Sequence, residues 1–401
     1  MRQPTVLAAV AASLSIASSL AAPVRRSGDT KALSAATLNL VQQRLAEIAT
    51  DTWTAGTYGE ALLELEYPAW SVFSPSFSSA TGFPSNVEYL VNKWSAKRPS
   101  WTKELAYVEN GAAGDPPALG VPWLVAAQSN DNHDTRGELW QEASAQLQYL
   151  LDDVPRTQDG AISHRPPHEA VQLWADFVYM VPPFLAYFGA ITKNSSLLAQ
   201  AYTQCQLYRK YLSTDSTGSL RHIVLGDWQD NGLWSTGNGW AAAGFTRVLA
   251  TMQNSQYADQ FASEISDLKK WTKQLLTAAF SNLRSDGLLP NYYDLPSSFS
   301  DAAGSALLAS AAYRLAVLDP KGDYASILAS AATIRAAVNS GVDSSSGLLS
   351  PVVDPLAFAQ QGKTSPEGQA FVLLLHSAWR DWQNQSSSSS QTGLAVEVVA
   401  K

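Results

Sequence analysis

The chain has 401 residues, with 27 Lys and Arg against 35 Asp and Glu, giving a formal net charge of −8. Nucleic-acid and anionic-membrane partners call for clustered Lys and Arg, and no such cluster is present. The single cysteine, Cys205, excludes an intrachain disulfide framework and a Cys-rich zinc site, and reads as a buried helix residue. With 46% hydrophobic residues and 13 Trp, 15 Tyr and 12 Phe, most of the chain is expected to be globular.

Arg2 followed by the apolar run Val6 to Leu20 and the small residues Ser19-Leu20-Ala21-Ala22-Pro23 resembles a secretory signal peptide over residues 1–22. The protein is therefore expected to be secreted. No segment reaches about 18 uninterrupted apolar residues, so no membrane span is expected. Arg25-Arg26 offers a second, dibasic processing site. Asn194-Ser195-Ser196 and Asn384-Gln385-Ser386 fit the N-glycosylation pattern, which has meaning only in a secreted protein; chance is the other reading.

Leu38, Val41, Leu45 and Ile48 recur at the spacing of an amphipathic helix over Leu33 to Thr50. Similar patterns predict helices near 56–67, 86–98, 116–129, 136–152, 169–191, 196–213, 238–254, 258–281, 302–318, 323–339 and 366–384. Between them lie breakers such as Gly114-Asp115-Pro116-Pro117, Asp159-Gly160, Asp286-Gly287 and Pro320-Lys321-Gly322. Long β-branched alternation is missing. About twelve helices in hairpin pairs predict an all-α chain closed into an (α/α)6 toroid, six helices inside and six outside; an open solenoid is the alternative. One domain over residues 27–384 is expected, followed by a Ser-rich, disordered tail at 385–401.

Secretion, acidity and abundant tryptophan suggest carbohydrate, because sugar rings stack on indoles and carboxylates move protons. In the first dense cluster, His164 to Leu185, Asp176 sits between Trp174 and Phe177. A carboxyl desolvated among aromatics has a raised pKa and suits a proton donor; a capping or salt-bridged Asp before Pro182-Pro183 is the alternative. His164 and His168 have metal-pair spacing, but Pro166-Pro167 breaks the helix such a pair needs, and no metal is expected. The second cluster, Gly226 to Trp240, carries Trp228, Trp234 and Trp240 among glycines and amides. It reads either as a sugar-binding rim or as a glycine-rich loop whose tryptophans cap helices. His222, just upstream, taken alone reads as structural.

Together, Val154 to Gly160, Gln172-Leu173-Trp174-Ala175-Asp176, Tyr179-Met180, Pro183-Phe184-Leu185-Ala186 and Gly237-Asn238-Gly239-Trp240 resemble the unsaturated rhamnogalacturonyl hydrolases of glycoside hydrolase family 105. That family is related to the unsaturated glucuronyl hydrolases of family 88. The strong likeness runs from Asp153 to Leu249. It implies the same six-hairpin toroid and removal of a 4,5-unsaturated uronyl residue from the non-reducing end of pectin-derived oligosaccharides. An acid protonates C4 of the enol ether, water adds at C5, and the hemiketal opens and expels the saccharide. The chemistry needs one carboxyl that gives and takes a proton, and no cofactor, unlike the usual two-carboxylate scheme.

The resemblance assigns Asp176 as catalytic and His222 as its partner. It places Asp115, His164, Trp174, Met180, Trp234, Gly237 and Trp240 around the sugar, with Tyr58 a weaker candidate. The partner is then an oligosaccharide and the protein is expected to be a monomer. Three features depart from the family: Thr236 stands where it has Arg, Asp301 is the candidate for its downstream Glu, and the turn from His164 to Asp176 is one residue longer. Loss of a guanidinium removes a fork suited to a uronate carboxylate. Two other classes stay open. A toroid glycosidase acting on a saturated sugar would need a second carboxylate, from Asp115, Asp227 or Asp230; a silent carbohydrate-binding protein would need only the aromatic rim.

Overall fold

The computed structural model describes residues 32–96, 111–214 and 217–399, with side chains to 387. The leader expected at 1–22 lies outside the described residues.

Burial alternates along the chain. Helix α1 (Ala35–Ile48) buries only Val41 and Leu45, whereas α2 (Thr52–Leu65) buries almost every residue. The pattern repeats in α3 (Ser85–Ser95) and α4 (Gly120–Ser129). After α5 (His133–Asp152) comes a single turn, α6 (Phe177–Met180), and then the wholly apolar α7 (Pro182–Ile191). The remaining pairs are α8 (Ser195–Leu212) with α9 (Ser235–Asn254), α10 (Ala262–Phe280) with α11 (Ala302–Leu318), and α12 (Ala325–Gly341) with α13 (Pro366–Val399). In α10 the buried residues Leu268, Trp271, Thr272, Leu275, Leu276 and Ala279 form one stripe, while α9 is buried from Ser235 to Met252. A helix buried all round has to lie inside a layer of others. Accordingly α2, α4, α7, α9, α11 and α13 pack each on the next, and α13 returns to α2. The ring is closed, as expected for the (α/α)6 toroid, and the open solenoid is excluded. Gly244 makes one contact possible: a Cβ there would strike the Val178 carbonyl, so glycine lets α9 touch α6.

Short antiparallel strand pairs occupy the loops that lead into inner helices. β1 (Gln172–Trp174) pairs with β2 (Ile223–Leu225), Leu173 opposite Val224. β3 (Leu289–Pro290) pairs with β4 (Ser300–Asp301), and β5 (Val352–Asp354) with β6 (Ala357–Gly362). The helix expected over 169–191 is thereby corrected. Gln172 to Trp174 is captured as strand by β2, and Pro182-Pro183, lacking N–H donors, restarts the helix as α7. The serine run expected as a disordered tail continues α13 to Val399; Ser386 and Ser387 return their hydroxyls to the Trp382 and Gln383 carbonyls at 2.9 Å.

Near the C-terminal ends of the inner helices, Arg247 of α9 pairs with Glu60 (2.7 Å) and Glu64 of α2. Arg314 of α11 pairs with the same Glu64 (2.6 Å) and with Asp381 of α13 (2.6 Å). All but Asp381 are fully buried. Replacing Glu64 with Ala leaves Arg247 with Glu60 alone and Arg314 with Asp381 alone, and is expected to cost about 3–5 kcal/mol in chemical denaturation. Glu47→Ala, which breaks only the exposed pair with Arg44, should cost under about 1 kcal/mol.

Candidate active site

The opposite ends of the inner helices gather the acids. Asp115 precedes the 3₁₀ turn Pro116–Leu119 that leads into α4, Asp176 immediately precedes α6 without a side-chain cap bond, Asp301 caps α11, and Glu367 lies in the first turn of α13. Acidic side chains favour helix N-termini because unpaired N–H groups and the helix dipole are positive there.

The β1–β2 pairing brings Asp176 to His222. The Ala175 N–H donates to the His222 carbonyl at 2.8 Å, and His222 Nε2 lies 3.4 Å from Asp176 Oδ2. The other face of the imidazole is held as well. His222 Nδ1 is 2.9 Å from Asp230 Oδ2, and the same oxygen accepts the Tyr292 hydroxyl at 2.5 Å. Gly232 N–H donates to Asp230 Oδ1 at 3.1 Å. His222 is fully buried, and burial alone would lower its pKa; Asp176 and Asp230 outweigh that and raise it. Asp230 is lowered, because the bonds from His222 and Tyr292 outweigh its burial.

Facing this chain is a second pair. His164 Nε2 lies 3.4 Å from Asp115 Oδ1. The His164 carbonyl accepts from Ala113 N–H (2.8 Å) and Gly114 N–H (3.1 Å), and a Cβ on Gly114 would collide with the ring, so glycine is required there. Burial drives His164 down to about 3, leaving it neutral despite Asp176. Burial and the charge of Asp176 push Asp115 up to about 7, against the pull of Arg165. Trp174 joins the two halves: it stacks on His164 at 4.7 Å and meets His222 edge-on at 5.6 Å. Its indole N–H is fixed by Gln172 Oε1 at 2.7 Å.

The other expected residues divide. Trp234 tilts against His222 at 4.3 Å but is 1% exposed, so it braces the imidazole instead of forming a rim. Gly237 lies in the first turn of α9, where a Cβ would sit 3.6 Å from the His222 ring. Met180 and Trp240 are core, Trp240 wedged between Tyr179 and Phe371. The solvent-facing indole is Trp228, half exposed and edge-on to Trp174 at 5.4 Å. Thr236 is sealed, with its hydroxyl donated to Asp301 at 3.0 Å; Asp301 also takes three backbone N–H groups and has a structural role. The cation beside the site is Arg165, held by Glu169 at 2.7 and 2.9 Å, 6.0 Å from the Trp174 ring.

Three contributors carry no local sequence signal. Tyr292 and Phe358 reach His222 from distant loops, Phe358 edge-on at 4.6 Å. Glu367 is buried with Oε1 unpaired, and burial together with Asp176, Asp301 and Asp354 holds its carboxyl well above the usual range. A first-turn glutamate reads in sequence as an ordinary helix start.

The sequence model of Glycosyl Hydrolase Family 88 matches residues 126–316, a span that includes His164, Asp176 and His222. No curated protein matches the chain. Among solved structures, a possible member of the GH105 family from Klebsiella pneumoniae is similar at 16% identity and TM-score 0.67, over 86% of this chain and 92% of that one. A family 105 glycoside hydrolase from C. acetobutylicum superposes with TM-score 0.65 at 13% identity, over 86% and 99%. The unsaturated glucuronyl hydrolase from Bacillus sp. GL1, responsible for the degradation of glycosaminoglycan, gives 0.55 at 15%, over 84% and 94%. The chain is a glycoside hydrolase. Residues 126–316 carry its likeness to family 88, and its fold is that of the solved family 105 structures.

Two outcomes follow from the geometry. Asp230→Asn removes one of the two charges that raise His222, so the alkaline limb of the kcat–pH profile should move to lower pH. With it kcat should fall roughly 10–100-fold, as when a histidine loses its orienting partner, and KM should change little. Asp115, ordinarily near 3.8, holds a proton in the folded state up to about 7 that the unfolded chain releases. Its contribution therefore falls as pH rises from about 4 to 7. Thermal melts should show Asp115→Asn more stable than the parent at pH 8 and equal to it near pH 3.

Proposed function

We propose that the protein removes a 4,5-unsaturated uronyl residue from pectin-derived, rhamnogalacturonan-type oligosaccharides by hydrating its double bond. The observation that carries this reading is the file Asp176–His222–Asp230–Tyr292, which gives one carboxyl a fixed, proton-bearing neighbour. Asp176 delivers a proton to C4, positive charge develops at C5 and the ring oxygen, and water adds at C5. The proton lost by that water returns to the Asp176–His222 pair, and the hemiketal opens to release the saccharide. Trp174 and Trp228 flank the sugar, and Arg165 supplies positive charge for the uronate where Thr236 does not. The likeness to an unsaturated glucuronyl hydrolase supports the substrate class; the pectin assignment rests on the sequence motifs.

One observation favours a second reading. A carboxyl raised to about 7 at Asp115 is a competent general acid. Paired with Asp176 as base or nucleophile, it would suit a saturated glycoside. We also propose that the Val6 to Leu20 run directs secretion and that the enzyme acts as a monomer outside the cell. Asn194 and Asn384, both exposed, would carry glycans.

The test is loss of the ultraviolet absorbance of the conjugated double bond on lyase-generated rhamnogalacturonan oligosaccharides. Asp176→Asn should reduce that rate by about 10²–10⁴-fold. Unchanged absorbance with the parent protein, accompanied by release of saturated sugar, would transfer the assignment to the two-carboxylate reading.

A further inference from the structure

A cavity of about 510 Å3 opens at the other end of α4 from Asp115, between the last turn of α4 and the first two turns of α5. Small-ligand sites span roughly 300–1,000 Å3. Its apolar wall includes the half-buried Trp140 and an edge of Trp70, which is 5% exposed, and its polar groups are Ser78, Gln128, His133 and Arg136. Among the described residues that line it none is acidic, in a chain of net charge −8, although Asp134 stands 3.9 Å from His133.

Two of the polar groups are fixed in advance, while His133 is exposed. Gln128 Oε1 accepts the Tyr187 hydroxyl at 3.0 Å, which leaves the amide NH2 as donor. Arg136 places Nε and Nη2 on the Asn130 carbonyl at 3.0 and 2.6 Å, which leaves Nη1 as donor. Gly137 adds an independent observation. Glycine inside a helix costs stability relative to alanine, and a Cβ at Gly137 would meet nothing within 4 Å. Neither packing nor a positive φ requires glycine at this position. What its missing side chain does is keep the cavity open beside Trp140, one turn further along the same helix face.

We propose that this cavity is a second carbohydrate site, remote from Asp176, that takes one or two residues of an acidic oligosaccharide. Indoles pack on the C–H faces of sugar rings, while the free donors of Gln128 and Arg136 suit carboxylate and hydroxyl oxygens. A free inorganic anion would have no use for two tryptophans, and a purely apolar ligand none for the fixed donors. The acidity of the ligand agrees with the proposed function, but the site does not depend on hydration of a double bond.

The probe is saturated trigalacturonate, which presents no double bond to hydrate, titrated by calorimetry with tryptophan fluorescence as a second signal. The parent protein should bind it, and Gly137→Met and Arg136→Ala should each weaken that binding by about tenfold or more. Gly137→Met extends a side chain into open space and keeps the fold, so it guards against a collapsed Trp140→Ala variant. Both variants should hydrolyse the unsaturated substrate at the parental rate, and a neutral trisaccharide should bind at least about tenfold more weakly. Unchanged affinity and stoichiometry in Gly137→Met, equal binding of the neutral sugar, or no binding by the parent would each overturn the proposal. Retained binding alongside failed hydrolysis would count against the proposed reaction alone.

Discussion

Glu64 accepts ion pairs from arginines 183 and 250 residues further along the chain, and every site described above depends on the closure those pairs hold. Hydrophobic stripes alone bring helices together without fixing which inner helix meets which. A buried carboxylate between two guanidiniums is far more selective, since any other pairing leaves a charge uncompensated in the core. Arg380 adds to the lock by donating to the Glu64 and Leu65 carbonyls at 2.8 and 3.0 Å, tying the last inner helix to the first. The cations also stand toward the C-terminal ends of α9 and α11, where the helix dipole is negative.

The same polarity dictates what gathers at the other end. Outer and inner helices alternate as hairpins, so all inner helices run in one direction and their N-termini share one mouth. Asp115, Asp176, Asp301 and Glu367 each come from a different stretch of that ring. Four carboxyls in one place would repel one another and any anionic substrate. The structure relieves this in separate ways: Asp301 is saturated by hydrogen bonds, Asp176 faces the raised imidazole of His222, and burial moves Asp115 and Glu367 toward their neutral forms.

Legibility in the sequence followed the range of the forces involved. Helix α11 matches its predicted span of 302–318, because periodic burial is a local pattern. Strand β1 was hidden inside a predicted helix, since three residues of extended chain are decided by a partner some fifty residues away. Asp176, Trp174 and His222 were legible through their motifs. The tryptophans were not separable: Trp228 faces solvent while Trp234 and Trp240 are sealed, and composition is the same for both outcomes. Asp230 was one of three candidate second carboxylates, and only the fold shows it behind His222, not across from Asp176. Tyr292, 62 residues further on, could be found only by folding.

The arrangement around His222 bears on how few groups the reaction needs. Displacement at an anomeric carbon divides labour between an acid and a base or nucleophile on opposite sides of the sugar. Hydration of an enol ether has a simpler proton inventory, because the proton given to C4 is recovered from the water that attacks C5. A single carboxyl can serve both steps if its neighbour keeps a proton within reach through each. His222, set between Asp176 at 3.4 Å and Asp230 at 2.9 Å, meets that requirement: the second carboxylate stabilises the imidazolium without competing for the substrate. Tyr292 then fixes Asp230 and through it the imidazole, so in the proposed reaction the position of the proton offered to Asp176 would be set by hydrogen bonds on the far side of His222. In this reading Asp115 is left as a neutral donor beside the site, which limits the negative charge a uronate has to approach.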